Sequence, residues 1–360
     1  MSAATYAPLL DAVRALRWPA RRRVGGTLPG AHRARLRGPG GEFSEYRAYR
    51  QGDDPRRLDW RLLARNDRAY VRLADDHALL PTFFVVDASA SMAFPNLSRG
   101  GAARWGKWGQ ACALAVGLAA VAHGAGDPVG LAVVGGGMAE GSPTGASSGG
   151  ASSGGASSAG AAPLVLPPRS RRGAVHELAG ALAGVQPAGA ASLAPLLARA
   201  PTGCRLVIVS DFLGDDAEPL RAAAAAHAAA GGDVYAVHVV AAAELDVPRG
   251  LLVAADPEDA RVRRPMDAPG RLGYARAFTA WRAELARAWR DAGASYGLVR
   301  DDEPPAHAVR RVVRGDAGTP ASDARAEHAR AEHARAADAP AEEAPAAGAP
   351  VVRGVAGGAV

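Results

Sequence analysis

The 360-residue sequence contains little lysine, cysteine or aromatic side chain. Lys107 is its only lysine, so arginine supplies almost all of the positive charge behind a formal net charge of +6. That balance permits binding to nucleic acid or to an acidic partner without requiring it. The two cysteines, Cys112 and Cys204, form no closely spaced pair, which argues against a disulfide framework, a redox motif or a cysteine-based metal site. We predict that both are reduced core residues of a cytoplasmic protein.

Long apolar runs are also scarce. The longest, ALAVGLAAVA at residues 113–122, is too short to span a bilayer. The first residues, MSAATYAPLLDAVRALRWPARRR, carry their positive charges after the apolar stretch, which is the reverse of a secretory signal. The sequence therefore predicts a protein without a membrane segment.

Composition divides the chain into three parts. Residues 1–79 are rich in arginine, and we predict that they form an N-terminal extension packed on the core. Residues 80–302 alternate between apolar β-branched runs and helix-like segments, and a Gly/Ser/Ala repeat at 141–162 is predicted to be a flexible insert. Residues 303–360 are rich in Ala, Pro, Glu and Arg, a composition that predicts a disordered tail.

The alternation within residues 80–302 indicates the fold class. Strand patterns such as TFFVVDAS, PVGLAVVGG, CRLVIVSDF and DVYAVHVV are separated by helical patterns such as WGKWGQACALAVGLAAVAHG. Continuous apolar strands separated by helices form parallel sheets that are covered on both faces. We therefore predict an α/β domain with a doubly wound, mostly parallel, Rossmann-like sheet.

Polar side chains follow two of these strands. FFVVDASAS brings Asp87, Ser89 and Ser91 after one strand, and RLVIVSDF places Asp211 after another. Ligands of open α/β sheets bind at the carboxyl ends of strands, and carboxylate and hydroxyl oxygens suit a hard divalent cation. No GxGxxG motif follows the first strand and no GxxxxGK[ST] motif occurs, so a dinucleotide site and a P-loop are not favoured. The pattern predicts an oxygen-lined metal site, and the alternative is that these residues only form turns and helix caps.

The Asp-x-Ser-x-Ser pattern with a later strand-end aspartate resembles the von Willebrand factor type A domain and its metal-ion-dependent adhesion site. A longer stretch, GPGGEFSEYRAYRQGDDPRRLDWRLLARNDRAYVRLADDHALL, closely resembles the signature of the bacterial domain of unknown function 58 family. The resemblance covers roughly residues 14–302. The shared positions are Glu42, Phe43, Arg47, Tyr49, Gly52, Asp53, Asp54, Arg56, Asp59, Trp60, Ala64, Arg65, Val71 and Arg72.

The resemblance implies a cation site and a partner. The cation would be Mg²⁺, with Mn²⁺ or Ca²⁺ as alternatives, and its implied ligands are Asp87, Ser89, Ser91 and Asp211. The threonine that usually completes such a site falls on Ala191 here, which leaves Ser192, one residue later, as the substitute. Members of the family are typically encoded beside MoxR-type AAA+ ATPases, which implies a non-enzymatic adaptor or co-chaperone for such an ATPase and its client, without a small-molecule substrate.

The polar and aromatic block at residues 42–72 has two interpretations. Its arginines, Arg47, Arg56, Arg57, Arg61 and Arg65, could form a basic face for a partner or for nucleic acid. Alternatively, Asp53, Asp54 and Asp59 could pair with these arginines while Phe43, Tyr46, Tyr49 and Trp60 pack on the sheet domain. We favour the structural interpretation, with Trp60 as a core anchor, because adjacent carboxylates neutralise much of the positive field.

Three functions are compatible with the sequence. A metal-dependent protein-binding module follows from the strand-end residues and the resemblance. A nucleic-acid-binding protein follows from the arginine content, although nucleic acid is the less favoured partner. A metal-dependent hydrolase would use the same aspartates but requires a general base, for which no candidate is found.

Overall fold

The computed structural model describes residues 3–22, 24, 29–33, 42–51, 53, 55–75, 77–95, 106–138, 162–214, 216–249, 253–255, 261 and 263–315. Most of the predicted Gly/Ser insert, residues 141–161, and the predicted tail beyond residue 315 lie outside these ranges. None of the described helices is long and apolar enough to cross a membrane.

The longer helices of residues 80–302 follow the predicted helical segments, whereas the last helix, Pro305–Arg314, lies in the predicted tail. In chain order the helices are α1 Ala7–Val13, α2 Trp60–Asn66, α3 Gly106–Gly124, α4 Ala174–Ala183, α5 Ala194–Leu197, α6 Ala217–Ala229, α7 Ala242–Leu245, α8 Ala268–Asp291 and α9 Pro305–Arg314.

Strands alternate with these helices through the central part of the chain. In chain order they are β1 Pro29–Arg33, β2 Glu42–Ala48, β3 Tyr70–Asp75, β4 His77–Ala78, β5 Thr82–Asp87, β6 Val129–Val134, β7 Gly137–Met138, β8 Leu164–Arg169, β9 Val185–Gln186, β10 Arg205–Ser210, β11 Asp233–Val240, β12 Val253–Ala255, β13 Arg263–Pro265 and β14 Ser295–Arg300.

Six of the strands form the central sheet in the order β14-β11-β10-β5-β6-β8. All neighbours are parallel except β6 and β8, which run antiparallel. This arrangement confirms the predicted doubly wound, mostly parallel α/β fold. The sequence patterns did not reveal β8, whose Pro167 and Pro168 are tolerated because it lies at an edge of the sheet.

Helices cover both faces of the sheet and divide the core into two clusters. On one face, α1, α3, α4 and α9 pack against alternate strand residues such as Phe84, Val86 and Val209. On the other face, α5, α6 and α8 pack against the intervening residues, including Val85 and Ile208. The strands are therefore buried on both sides, which explains why their sequences are apolar without alternation.

The first part of the N-terminal extension packs on this domain. Leu9, Val13 and Trp18 are buried in the same cluster as α3. The indole of Trp18 lies 4.1 Å from the buried guanidinium of Arg205 and donates a hydrogen bond to the hydroxyl of Tyr235. Aromatic, cation–π and hydrogen-bond contacts thus join the extension to β10 and β11.

The predicted role of the aromatic residues in the block at 42–72 is wrong. Trp60 is 63% exposed, and Tyr46 and Tyr49 are also exposed, so Trp60 is not a core anchor. Asp59 caps α2 by accepting hydrogen bonds from the backbone amides of Arg61 and Leu62, and the cap leaves Trp60 as the first helical residue on the outside. The side chain of Phe43 and the whole of Asp54 lie outside the residues that the structure describes.

The predicted pairing of arginine with aspartate in this block is confirmed at one position. Arg47 donates a hydrogen bond of 2.7 Å to the Asp53 carboxylate, and the Arg50 amide donates a second one. Together these two bonds hold the pKa of the Asp53 carboxyl below its usual value. Such an exposed pair adds little to stability but does offset the local positive charge.

The predicted disordered tail starts too early in the chain. Residues 305–314 form α9, in which Val309 and Val312 are buried against α3 and α1. Arg311 also pairs with Glu303 over 2.8 Å. Low overall hydropathy hid this helix, because its few apolar residues are concentrated on the single face that meets the core.

The two cysteines are free and buried, as the sequence predicted. Burial raises the pKa of the Cys204 thiol to about 12 and that of Cys112 further, so neither is a thiolate at neutral pH.

A buried histidine makes the stability of the fold depend on pH. His238 of β11 is 1% exposed, its Nδ1 lies 2.6 Å from the Tyr296 hydroxyl, and burial lowers its pKa to about 3, with smaller contributions from Arg282 and Lys107. The unfolded chain protonates this histidine near pH 6.5, so its contribution to stability is lost as the pH falls from 6.5 towards 3, by up to about 1.4 kcal/mol per pH unit.

We therefore expect His238→Gln to flatten the fall in unfolding free energy between pH 6.5 and 4.5, measured by urea denaturation. The matched control is His176→Gln, since His176 is an exposed histidine on α4. Equal pH slopes for His238→Gln and the wild type would contradict the assignment.

Candidate metal centre

The two predicted aspartates lie on neighbouring strands of the sheet. Asp87 is the last residue of β5 and Asp211 follows β10 directly, and these strands pair in parallel with Val86 opposite Val209. Both side chains therefore emerge at the carboxyl edge. In the sheet, β5 has β6, the next strand along the chain, on one side and β10 on the other. The strand order therefore reverses at β5, and open α/β sheets bind ligands at such a switch point.

Asp87 is a strongly perturbed carboxyl group. Its Oδ1 accepts a hydrogen bond from the Ser89 amide over 2.8 Å, and its Oδ2 accepts one from the Ser210 hydroxyl over 2.6 Å. Burial, followed by the negative charge of Asp211, nevertheless raises the pKa of Asp87 to about 6. Two carboxylates that repel each other in a buried place are a site where a cation is stabilised.

The predicted hydroxyl ligands lie beside this carboxyl group. Ser89 and Ser91 are both buried, and their Oγ atoms are 3.0 Å apart. Ser89 precedes a 3-10 turn over Ala90–Ala93, whose tight winding turns the two serines towards each other. Two oxygen ligands at right angles on one octahedral Mg²⁺, each at ~2.1 Å, would lie ~3.0 Å apart. The spacing of the two hydroxyl groups therefore fits a shared cation.

Lys107 reaches the same place, and sequence reasoning missed it. The Nζ atom donates hydrogen bonds to Asp211 Oδ2 over 2.7 Å and to Glu244 Oε1 over 2.8 Å, and the side chain is 1% exposed. Burial opposes the charge of the amine, but the two carboxylates outweigh burial and raise the pKa of Lys107. One signal was available, because the chain's only lysine begins the helix that follows the Asp-x-Ser-x-Ser loop.

The predicted fifth ligand, Ser192, has a different partner. Its hydroxyl donates to Asp216 Oδ2 over 3.0 Å, and the same oxygen accepts from the amides of Leu193 and Ala194. Asp216 thereby holds the start of α5. Ala191 and Asp216 line a small cavity that also contains Asp87, so this loop lies beside the centre. The role of Ser192 as a ligand remains a prediction.

The residues present fit a magnesium-type cation and do not fit zinc. In the described ranges, no group of three or more His, Cys, Asp or Glu side chains could hold a metal by itself. The centre instead combines Asp87 and Asp211 with two serine hydroxyls, which are hard oxygen donors. With Asp87, Asp211 and Glu244 ionised against the single ammonium of Lys107, two negative charges remain uncompensated, which matches one divalent cation.

An apolar rim surrounds the centre. Phe94 is 40% exposed and its ring lies 5.8 Å from Lys107 Nζ. Leu213 is 48% exposed, and its amide donates to Asp211 Oδ1 over 3.3 Å. Two exposed apolar side chains therefore lie beside a recessed polar centre.

Solved structures with similar chain paths are distant. BatB from Bacteroides thetaiotaomicron, titled a conserved hypothetical protein, shares 16% identity with a TM-score of 0.37 over 66% of this chain and 96% of its own. The pilus adhesin SpaC from Lactobacillus rhamnosus GG shares 14% identity with a TM-score of 0.34 over 67% of this chain and 30% of its own. We draw no functional argument from likenesses at this level.

Sequence relatives are closer and uncharacterized. An uncharacterized protein of Mycobacterium tuberculosis and one of Mycobacterium bovis are each 33% identical over 305 residues, which cover 82% of this chain and 85% of the relative. The family described as "Protein of unknown function DUF58" matches residues 45–153 and 144–284, a span that includes the strand-end aspartates and serines. The chain therefore belongs to the DUF58 family.

Proposed function

We propose that this DUF58 protein is a non-enzymatic, Mg²⁺-dependent protein-interaction module. The observation that carries the proposal is the convergence of Asp87, Asp211, Ser89 and Ser91 at one edge of the sheet, with the two hydroxyl oxygens 3.0 Å apart. Mg²⁺ keeps part of its coordination sphere open to water, so an acidic side chain of a partner could complete it.

A binding role is proposed in preference to catalysis because, among the described contacts, no histidine bonds these serine hydroxyls, and the carboxylate that accepts from Ser210 is Asp87, which the proposal assigns to the cation. Among the described contacts, the hydroxyl of Ser89 pairs with Ser91, and Ser210 donates to Asp87. His238 faces Tyr296 instead. Nucleophilic catalysis by serine requires an adjacent general base that accepts its proton.

The exposed rim supports a protein as the ligand. Phe94 and Leu213 can contact apolar side chains that flank a partner's carboxylate, which would bury apolar area around the ionic contact. Family membership makes a MoxR-type AAA+ ATPase and its client the partners to test first, with this chain as adaptor or co-chaperone in the cytoplasm.

The test compares cation binding and partner binding in one set of variants. We expect MgCl₂ titrated calorimetrically into the wild-type protein to bind, and the double variant Ser89→Ala/Ser91→Ala to bind at least roughly tenfold more weakly, a loss of about 1.4 kcal/mol. The same variant should lose Mg²⁺-dependent, chelator-sensitive binding to a purified MoxR-type ATPase from the same organism.

The matched control is Ser170→Ala. Ser170 is an exposed serine directly after β8, whose end pairs with the start of β6 at the opposite edge of the sheet. It should behave like the wild type. Mg²⁺ binding that is unchanged in the double variant would reject the site, and ATPase binding that persists in chelator would reject the metal-dependent role.

A further inference from the structure

Lys107 holds a position that a simple oxygen-lined cation site does not need. Its ammonium group lies between Asp211 Oδ2 and Glu244 Oε1, at 2.7 and 2.8 Å, and is almost completely removed from solvent. A lysine carries one positive charge into a place where a divalent cation would compete for the same carboxylate. The cation ligands alone therefore do not explain why Lys107 lies in this position.

We propose that Lys107 is a tethered cation that competes with the divalent cation for Asp211, with Glu244 as the alternative acceptor that receives the ammonium group. The inference rests on the proposed function, because it concerns the affinity of that same centre. It makes Lys107 a positioning residue, which sets how tightly the centre binds its cation and offsets one of the three carboxylate charges in the cation-free site.

Glu244 is built to hold the ammonium group alone. Its Oε2 accepts a hydrogen bond of 2.7 Å from the Ala241 amide at the start of α7, which leaves Oε1 for the lysine. When Lys107 gives up Asp211, it retains one buried ionic partner. The cost is therefore the loss of one charge-assisted hydrogen bond and not the burial of an unpaired charge, which would be several times larger.

The identity of the residue agrees with this role. Arginine occupies every other cationic position apart from the histidines, but a planar guanidinium has a fixed fork of donors and does not pivot between two acceptors as a compact ammonium does. Lys107 has three rotatable donors at the end of a flexible stem. Because its Nζ atom already contacts both carboxylates, release of Asp211 leaves the bond to Glu244 in place.

The uniqueness of the lysine provides a direct measurement. Protein grown with ¹³Cε-labelled lysine and free of tags contains one labelled side chain, so its ¹H–¹³C spectrum reports on Lys107 alone. We expect MgCl₂ to shift this signal with the same midpoint as the calorimetric titration. A signal that stays unchanged while the protein binds Mg²⁺ would overturn the inference.

Variants separate direct competition from a general effect of charge. Lys107→Met should bind Mg²⁺ roughly tenfold more tightly than the wild type, and Glu244→Gln should bind it more weakly because the ammonium is confined to Asp211. In the double variant Lys107→Met/Glu244→Gln, the glutamine should no longer weaken Mg²⁺ binding, since no ammonium group remains to compete for Asp211. An equal effect of Glu244→Gln with and without Lys107 would show that both residues act only through net charge, and would reject the inference.

Failure of the inference is distinguishable from failure of the proposed function. If neither the wild type nor Lys107→Met binds Mg²⁺, the metal centre itself is rejected, and the inference with it. If the wild type binds and both single variants bind with unchanged affinity, only the role of Lys107 is rejected. Should Lys107→Met fail to fold, Glu244→Gln and the lysine signal still decide the outcome.

Discussion

Asp87→Asn is expected to raise the stability of the cation-free protein and to abolish its response to Mg²⁺. A pKa raised from 3.8 to about 6 means that the ionised carboxylate is less stable in the folded protein than in the unfolded chain, by up to about 3 kcal/mol. This cost is absent below pH 3.8 and complete above pH 6. Asparagine removes the charge, and its carbonyl oxygen can still accept from the Ser89 amide.

A bound cation would interact with this same negative charge on the Asp87 carboxylate. A ligand at a hundred times its dissociation constant stabilises the folded state by about 2.7 kcal/mol, so saturating MgCl₂ should remove most of the difference between the wild type and Asp87→Asn. The measurement is thermal unfolding at pH 7.5 in chelator and in MgCl₂. Asp87→Asn should unfold at a higher temperature in chelator and should show no shift with Mg²⁺.

Asp233→Asn is the matched control for this prediction. Asp233 is also buried, but it begins β11 at the opposite edge of the sheet, accepts from the Arg21 amide over 2.8 Å and acts electrostatically on Arg205. Loss of its charge should therefore lower stability, with the Mg²⁺ response retained. A destabilised Asp87→Asn protein, or one that Mg²⁺ stabilises like the wild type, would contradict the proposed centre.

Arg205→Met should cost about 3 kcal/mol of unfolding free energy, the lower end of the range found when one partner of a buried ion pair is removed, because Asp127 keeps its 2.7 Å contact with His32. The guanidinium is fully buried, lies 3.7 Å from Asp127, donates to the Trp18 carbonyl over 2.7 Å and faces the Trp18 ring. Burial lowers the pKa of Arg205, and the charges of Asp127 and Asp233 oppose that effect. Methionine fills much of the volume but leaves Asp127 without this cation.

The effect should be visible in the N-terminal extension as well as in urea denaturation. Because Trp18 packs on Arg205, loss of the Arg205 guanidinium should expose residues 14–22 to trypsin, whose cleavage sites there include Arg14, Arg17 and Arg21. The control is Arg47→Met, which removes a solvent-accessible pair with Asp53 and a hydrogen bond to the Ala48 carbonyl and should cost far less than Arg205→Met. An Arg205→Met protein with a comparably small loss would refute this anchoring role.

Local pattern was sufficient for the parallel strands of the central sheet, for the longer helices between them and for much of the candidate site. Residues 83–86 and 206–209 are continuous apolar runs followed by polar side chains, and such runs form strands wherever helices cover both faces. Parallel strands present their carboxyl ends at one edge, so the proximity of Asp87 and Asp211 followed from the strand assignment. The edge strand β8 was missed because its two prolines conceal the pattern.

The amino-acid sequence by itself therefore determined the fold class, the family and the oxygen donors at the ends of two strands. Only the tertiary structure decided that Lys107 meets Asp211, 104 residues away, and Glu244, 137 residues away. It also decided that Trp18 is buried on Arg205 while Trp60 is exposed. Side-chain partners and burial depend on which elements pack together in space, and local periodicity contains no information about such long-range contacts.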